Sequence, residues 1–193
     1  MKKLICTLTA GSAIAIALTA LVAAPAIADS GDITATVTGG SLAERAGGAT
    51  LSGTTLDGQN IQHATGGTTL WTLTDARGTG AVWALNASAT DFVSAAGTAD
   101  LIKRTIPAAN LLVTLGTITG STGSDTAPTA PPLRLSNTAE ALITAGTDTK
   151  GTFTLTPTFD LSIPVNAYRS NYSGTVGNST INAYTSTVTY TIG

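Results

Sequence analysis

The chain has 193 residues, of which 10% are charged, and a formal net charge of −2 at pH 7. Ordinary globular domains carry about a quarter charged residues, so this surface must be covered mostly by Thr, Ser, Gly and Asn. Beyond the adjacent Lys103-Arg104 there is no basic cluster, which removes nucleic acid and anionic lipid from the expected partners.

In chain order, Lys2 and Lys3 precede an apolar run from Leu4 to Val22, and Ala26-Ile27-Ala28 then leads into the polar Asp29-Ser30-Gly31-Asp32. This is the pattern of a secretory signal peptide, residues 1–28, cut after Ala28. The apolar length approaches that of a membrane span, so an uncleaved anchor is the alternative; after cleavage no span remains. Cys6 lies inside this segment, so the remaining 165 residues, 29–193, contain no cysteine. A secreted domain of that size without disulfides must be held by its core. Residues 29–193 carry seven basic and eleven acidic side chains, a formal charge of −4.

Ile33, Ala35 and Val37 alternate with threonines, which predicts a strand over Asp32–Thr38. Ser41–Arg45 is the best helical candidate and is stopped by Gly47-Gly48. Trp71-Thr72-Leu73-Thr74 and Val82-Trp83-Ala84-Leu85 read as two strands around the turn Asp75–Gly80, where Asp can bond its own backbone and two glycines tolerate positive φ. Residues 116–132 are rich in Gly, Ser, Thr and Pro. They read as a long loop inside one domain, because the flanking stretches would be marginal alone; an interdomain linker is the alternative. Alternation returns over Thr152–Thr156 and from Tyr184 to Ile192. The expected fold is all-β, an antiparallel β-sandwich, jelly-roll-like or Greek-key, with almost no helix.

Catalytic and metal-binding patterns are sparse. His63 is the single histidine, no Asp-x-Asp-x-Asp or Gly-x-Ser-x-Gly spacing occurs, Glu44 and Glu140 are the two glutamates, and Asp148 and Asp160 stand isolated. No catalysis, cofactor or metal is expected.

Thr72–Phe92, TLTDARGTGAVWALNASATDF, resembles the proximal motif of the WxL cell-wall-binding domains of secreted bacterial proteins. Asp75, Arg77, Gly78, Thr79 and Gly80 match that family's turn, and Trp83-Ala84-Leu85 matches its Trp-x-Leu. Ile106–Leu111 (IPAANL) and Leu161–Tyr168 (LSIPVNAY) are similar to two further family segments, in the same order. The distal Trp-x-Leu is represented by Tyr190-Thr191-Ile192, and the stretch between Tyr168 and Thr185 is longer than the family pattern.

The resemblance implies a single WxL-like domain over 29–193. Its function would be non-covalent, non-catalytic attachment to peptidoglycan or another cell-wall polymer, on a protein that is secreted and wall-associated. The implied ligand-binding residues are Trp83, Leu85, Tyr190, Ile192, Asp75 and Arg77. Trp83 and Tyr190 would offer an aromatic platform to sugar rings. The alternation instead puts Trp83 on one face with Leu85, and Trp71 with Leu73, which favours burial of both tryptophans. Asp75 and Arg77 could bind a ligand anion or hold the turn; the second reading predicts a loss of about 1 kcal/mol for Asp75→Ala. The competing function is a self-assembling surface, matrix or pilus-like subunit that polymerises by β-strand addition. Its partners would be copies of itself or other surface proteins.

Overall fold

The computed structural model describes residues 32–94, 102–170 and 183–193. The expected signal peptide and the stretch 171–182 lie outside the described residues. Contacts divide the chain into Met1–Thr36 and Val37–Gly193. Of the first unit, residues 32–36 are described; they are exposed and belong to no strand.

The fold is all-β, as the alternation predicts. The strands, in chain order, are β1 (Leu42–Arg45), β2 (Gln62–Gly67), β3 (Trp71–Asp75), β4 (Trp83–Ala89), β5 (Phe92–Val93), β6 (Thr105–Ile106) and β7 (Leu111–Thr114). They continue with β8 (Thr119–Gly120), β9 (Leu133–Arg134), β10 (Glu140–Ala145), β11 (Gly151–Leu155), β12 (Thr158–Ile163) and β13 (Val188–Ile192). Among the described residues the helical content is one 3-10 turn, Ala108–Asn110.

Two expectations are corrected. Asp32–Thr38 forms no strand, and Ile33 and Val37 are 100% and 94% exposed. Alternation specifies which face a strand would bury, but a ladder also needs a neighbour. Ser41–Arg45 is not helical: Leu42–Arg45 pairs antiparallel with β3, Leu42 opposite Asp75 and Arg45 opposite Thr72. Four cross-strand pairs outweigh the weak helical propensity of so short a run.

One layer is a bent ribbon. The order β1-β3-β11-β8 continues into β2-β12-β7-β9, because the same chain segments supply both halves. Leu155 pairs with Trp71 in one half, and Thr158 with Gly67 in the other. The ribbon turns where regular pairing lapses, at residues 68–70, 115–118 and 156–157. Pro157 is fully buried there, and Gly116 takes φ +68°. The second layer is β10-β4-β13, and β5 pairs with β6 beside it. Residues 116–132 run within the Val37–Gly193 unit rather than between two domains, and β8 inside this stretch pairs with β11.

The inward residues of the two layers make one core. Trp71 and Leu73 of β3, Trp83 and Leu85 of β4, and Phe153 and Leu155 of β11 are all at most 2% exposed. Trp71 lies edge-on to Tyr190 of β13, ring centroids 4.8 Å apart, and to Phe159 of β12 at 6.3 Å. Trp83 packs against Phe153 at 6.2 Å. Each tryptophan therefore ties the ribbon to the facing sheet, as the expectation of buried tryptophans requires. Replacing a buried aromatic by alanine costs both transfer energy and a cavity. Trp71→Ala is accordingly expected to lose about 3–5 kcal/mol in urea unfolding, and a loss under about 1 kcal/mol would show that the ribbon does not depend on it.

Candidate functional site

The turn that suggested the family is a structural corner. Asp75 ends β3 and is 2% exposed. Its carboxylate accepts the Arg77 backbone N–H (3.0 Å), Arg77 Nε (3.0 Å) and Arg77 Nη2 (2.9 Å). Arg77 Nη2 also donates to Ala81 O at 3.0 Å, drawing the far side of the turn inward. Gly78 and Gly80 take φ +70° and +67°, a region costly for side chains with a Cβ. A Cβ on Gly80 would also strike the Asp148 carboxylate. The next turn is latched on by Asp148 N–H to Gly80 O (3.0 Å), and Gly40 by its N–H to Ala76 O (2.7 Å).

The implied ligand-binding residues are thus drawn into the scaffold. Trp83 is 2% exposed, its Nε1 donates to Thr149 O at 2.9 Å, and Leu85 is fully buried. Neither has a face to offer a sugar, which corrects the platform reading for Trp83 and the ligand-binding reading for Leu85. Tyr190 and Ile192 are half-buried and pack on the core. The Tyr190 hydroxyl is shut off from solvent without a hydrogen-bond partner, as is Trp71 Nε1, and burial together with nearby Glu44 raises the Tyr190 pKa. The Asp75 carboxylate and Arg77 Nε and Nη2 are bonded to each other and to the turn.

A different surface gathers polar and charged groups. Of the three motif-like segments, Ile106–Leu111 and Leu161–Tyr168 meet: Asn110 Nδ2 donates to Ser162 O at 2.9 Å. Both contain a proline followed by a tight turn. Asn110 N–H bonds Pro107 O and Ala167 N–H bonds Pro164 O, each at 3.0 Å. Asp91 steadies the first by accepting the Ala108 N–H at 2.9 Å.

On one side of Pro164 is an open hollow of about 500 Å³, lined by Ile61, Ala109, Asn110, Arg134, Ser162 and Val165. On the other side is a hollow of about 320 Å³ whose lining includes Lys103, Arg104, Tyr168 and Tyr184. Among the described residues, neither lining contains an acidic one. The Arg104 guanidinium lies 3.9 Å over the Tyr168 ring, and the Tyr184 hydroxyl donates to Tyr168 O at 2.9 Å. The two hollows meet at Pro164: one carries Arg134 with exposed apolar Ile61 and Val165, the other Lys103 and Arg104 with two tyrosines. Lys103-Arg104 was visible as an adjacent pair; Arg134, from β9, lines the neighbouring hollow through the fold.

The structure also pairs residues that looked isolated. His63 Nδ1 lies 2.7 Å from Asp160 Oδ1 across β2 and β12, on the exposed face. Lys150 Nζ reaches Asp125 at 3.1 Å and Asp148 at 3.3 Å. Among the described residues no group of three His, Cys, Asp or Glu could hold a metal ion, and no helix is long and apolar enough to cross a membrane. No protein-family model, curated protein or solved structure matches the chain.

Bonding to Arg77 holds the Asp75 carboxyl below its ordinary value of 3.8. The folded pKa lies under the unfolded one, so this stabilisation is complete above the unfolded value and lost as pH falls through the folded one. Asp75→Asn should cost about 2–3 kcal/mol at neutral pH, since buried charge-assisted bonds go. That exceeds the cap-sized loss expected from sequence. The variant's melting temperature should also fall less on acidification than that of the wild type; parallel acid limbs would refute the assignment. At the other end of the motif, Tyr190→Phe removes a buried hydroxyl that has no partner, so thermal unfolding should move up or stay level. A drop of more than about 1 kcal/mol would mean that the hydroxyl is bonded.

Proposed function

We propose that this is a secreted, non-catalytic bacterial surface protein that holds an anionic cell-wall polymer, with peptidoglycan first, in the groove on both sides of Pro164. One observation carries the reading: a chain of net charge −2 places Lys103, Arg104 and Arg134 on two hollows that meet at Pro164, and no described lining residue of either is acidic. The likeness of two groove segments to WxL-domain segments supports the same ligand class. Guanidinium groups offer fork-like donors to carboxylate or phosphate. Tyrosine and the apolar Ile61 and Val165 suit the C–H faces of sugars. In this reading Trp83 and Asp75 serve binding indirectly, by holding the sheets that present the groove.

Co-sedimentation with purified peptidoglycan tests it. Binding should be saturable and should weaken with added salt. Lys103→Glu combined with Arg134→Glu, both exposed positions, should weaken it at least about tenfold at an unchanged melting temperature. Walls stripped of phosphate polymers distinguish peptidoglycan carboxylates from wall phosphates. Absence of sedimentation by the wild type, or wild-type binding by the double variant, would reject the proposal.

A further inference from the structure

Exposed sheet edges invite pairing with other chains and are commonly blunted by charge, proline, bulges or covering loops. Most edges here are blunted. β1 carries Glu44 and Arg45, and β9 carries Arg134. β10 begins with Glu140 and has an irregular register between Ala141 and Ile143. β2 is covered by the Thr50–Ser52 loop, with Ser52 N–H bonded to Thr65 O at 2.8 Å.

β13, Val-Thr-Tyr-Thr-Ile, has no charge, no proline and a regular register against β4. Gly193 and Ala84 exchange both backbone bonds. By antiparallel alternation, Thr191 and Thr189 bond toward β4, while the amides and carbonyls of Val188, Tyr190 and Ile192 face the open side. No other described strand pairs there. The side chains of Val188, Tyr190 and Ile192 pack on the core and are half-buried; β1 approaches this strand from the other layer yet leaves its backbone edge unpaired.

The complementary piece is in the same chain. Asp32–Thr38 has strand alternation, lies in no sheet, and exposes Ile33 and Val37 almost completely. Its three apolar residues, Ile33, Ala35 and Val37, match the period and number of the three inward residues of β13.

We propose that Asp32–Thr38 of one copy adds as a strand to the open edge of β13 in a second copy, with Ile33, Ala35 and Val37 packing beside Val188, Tyr190 and Ile192. The interaction is head-to-tail, so repetition gives chains of subunits. It does not rest on the wall-binding reading.

Sedimentation velocity of the purified protein without cell wall is the test. Wild-type protein should form concentration-dependent oligomers. Ile33→Asp combined with Val37→Asp should be monomeric at an unchanged melting temperature. That variant should still bind a synthetic peptide of residues 32–38, and the peptide should dissociate wild-type oligomers. Three outcomes would overturn the proposal. One is a wild type that stays monomeric and binds no peptide. Another is a double variant that assembles like the wild type. The third is a monomeric wild type whose double variant melts lower, since the segment would then be pairing within its own copy.

Discussion

The pairing of buried Asp75 with half-buried Arg77 is the constraint on which the rest depends. β3 belongs to the bent ribbon and β4 to the facing sheet, so the turn between them must carry the chain from one layer to the other. An isolated buried carboxylate would be costly. Here its oxygens accept from Arg77, whose Nη2 also reaches the far side of the same turn. With the corner closed, Trp71 and Trp83 face inward from opposite layers. Each then finds an aromatic partner across the gap, Trp71 in Tyr190 and Trp83 in Phe153.

This arrangement separates holding from touching. The most distinctive residues of the chain are spent on internal contacts. The groove is built from plainer segments that begin with prolines and end in short turns. Its position still depends on the core: Ile106 and Leu161, which bracket the two groove segments, are 2% and 4% exposed. Damage to the tryptophans would disturb the groove by unfolding its supports, so loss of binding in core variants has to be read beside their stability.

Legibility in the sequence followed the range of the interactions. Trp71–Thr74, Thr152–Thr156 and Val188–Ile192 were readable because one face of each is core and the period is two. The turn role of Asp75 was readable because Asp bonding its own backbone is standard turn chemistry; its ion pair with Arg77 was not read. Leu42–Arg45 was misread as helical, since its strand state comes from β3, which no local propensity reports. Asp32–Thr38 shows the converse, a strand pattern with no ladder in its own chain. The groove was hidden because Arg134 joins Lys103 and Arg104, and Asn110 joins Ser162, only through tertiary pairing. His63 and Asp160, 97 residues apart, were invisible as a pair for the same reason.

In the proposed reading, hollows whose described lining has no acid, on a net-negative chain, would act at two distances. A polyanion far from the protein would meet the field of the whole molecule and be weakly repelled. Within a Debye length, about 8 Å at physiological ionic strength, it would meet Lys103, Arg104 and Arg134 and be drawn in. Dissolved salt screens both fields, easing the approach while loosening the grip. Capture and residence would therefore be governed by different charges of the same protein, and net charge could drift without altering the contact itself.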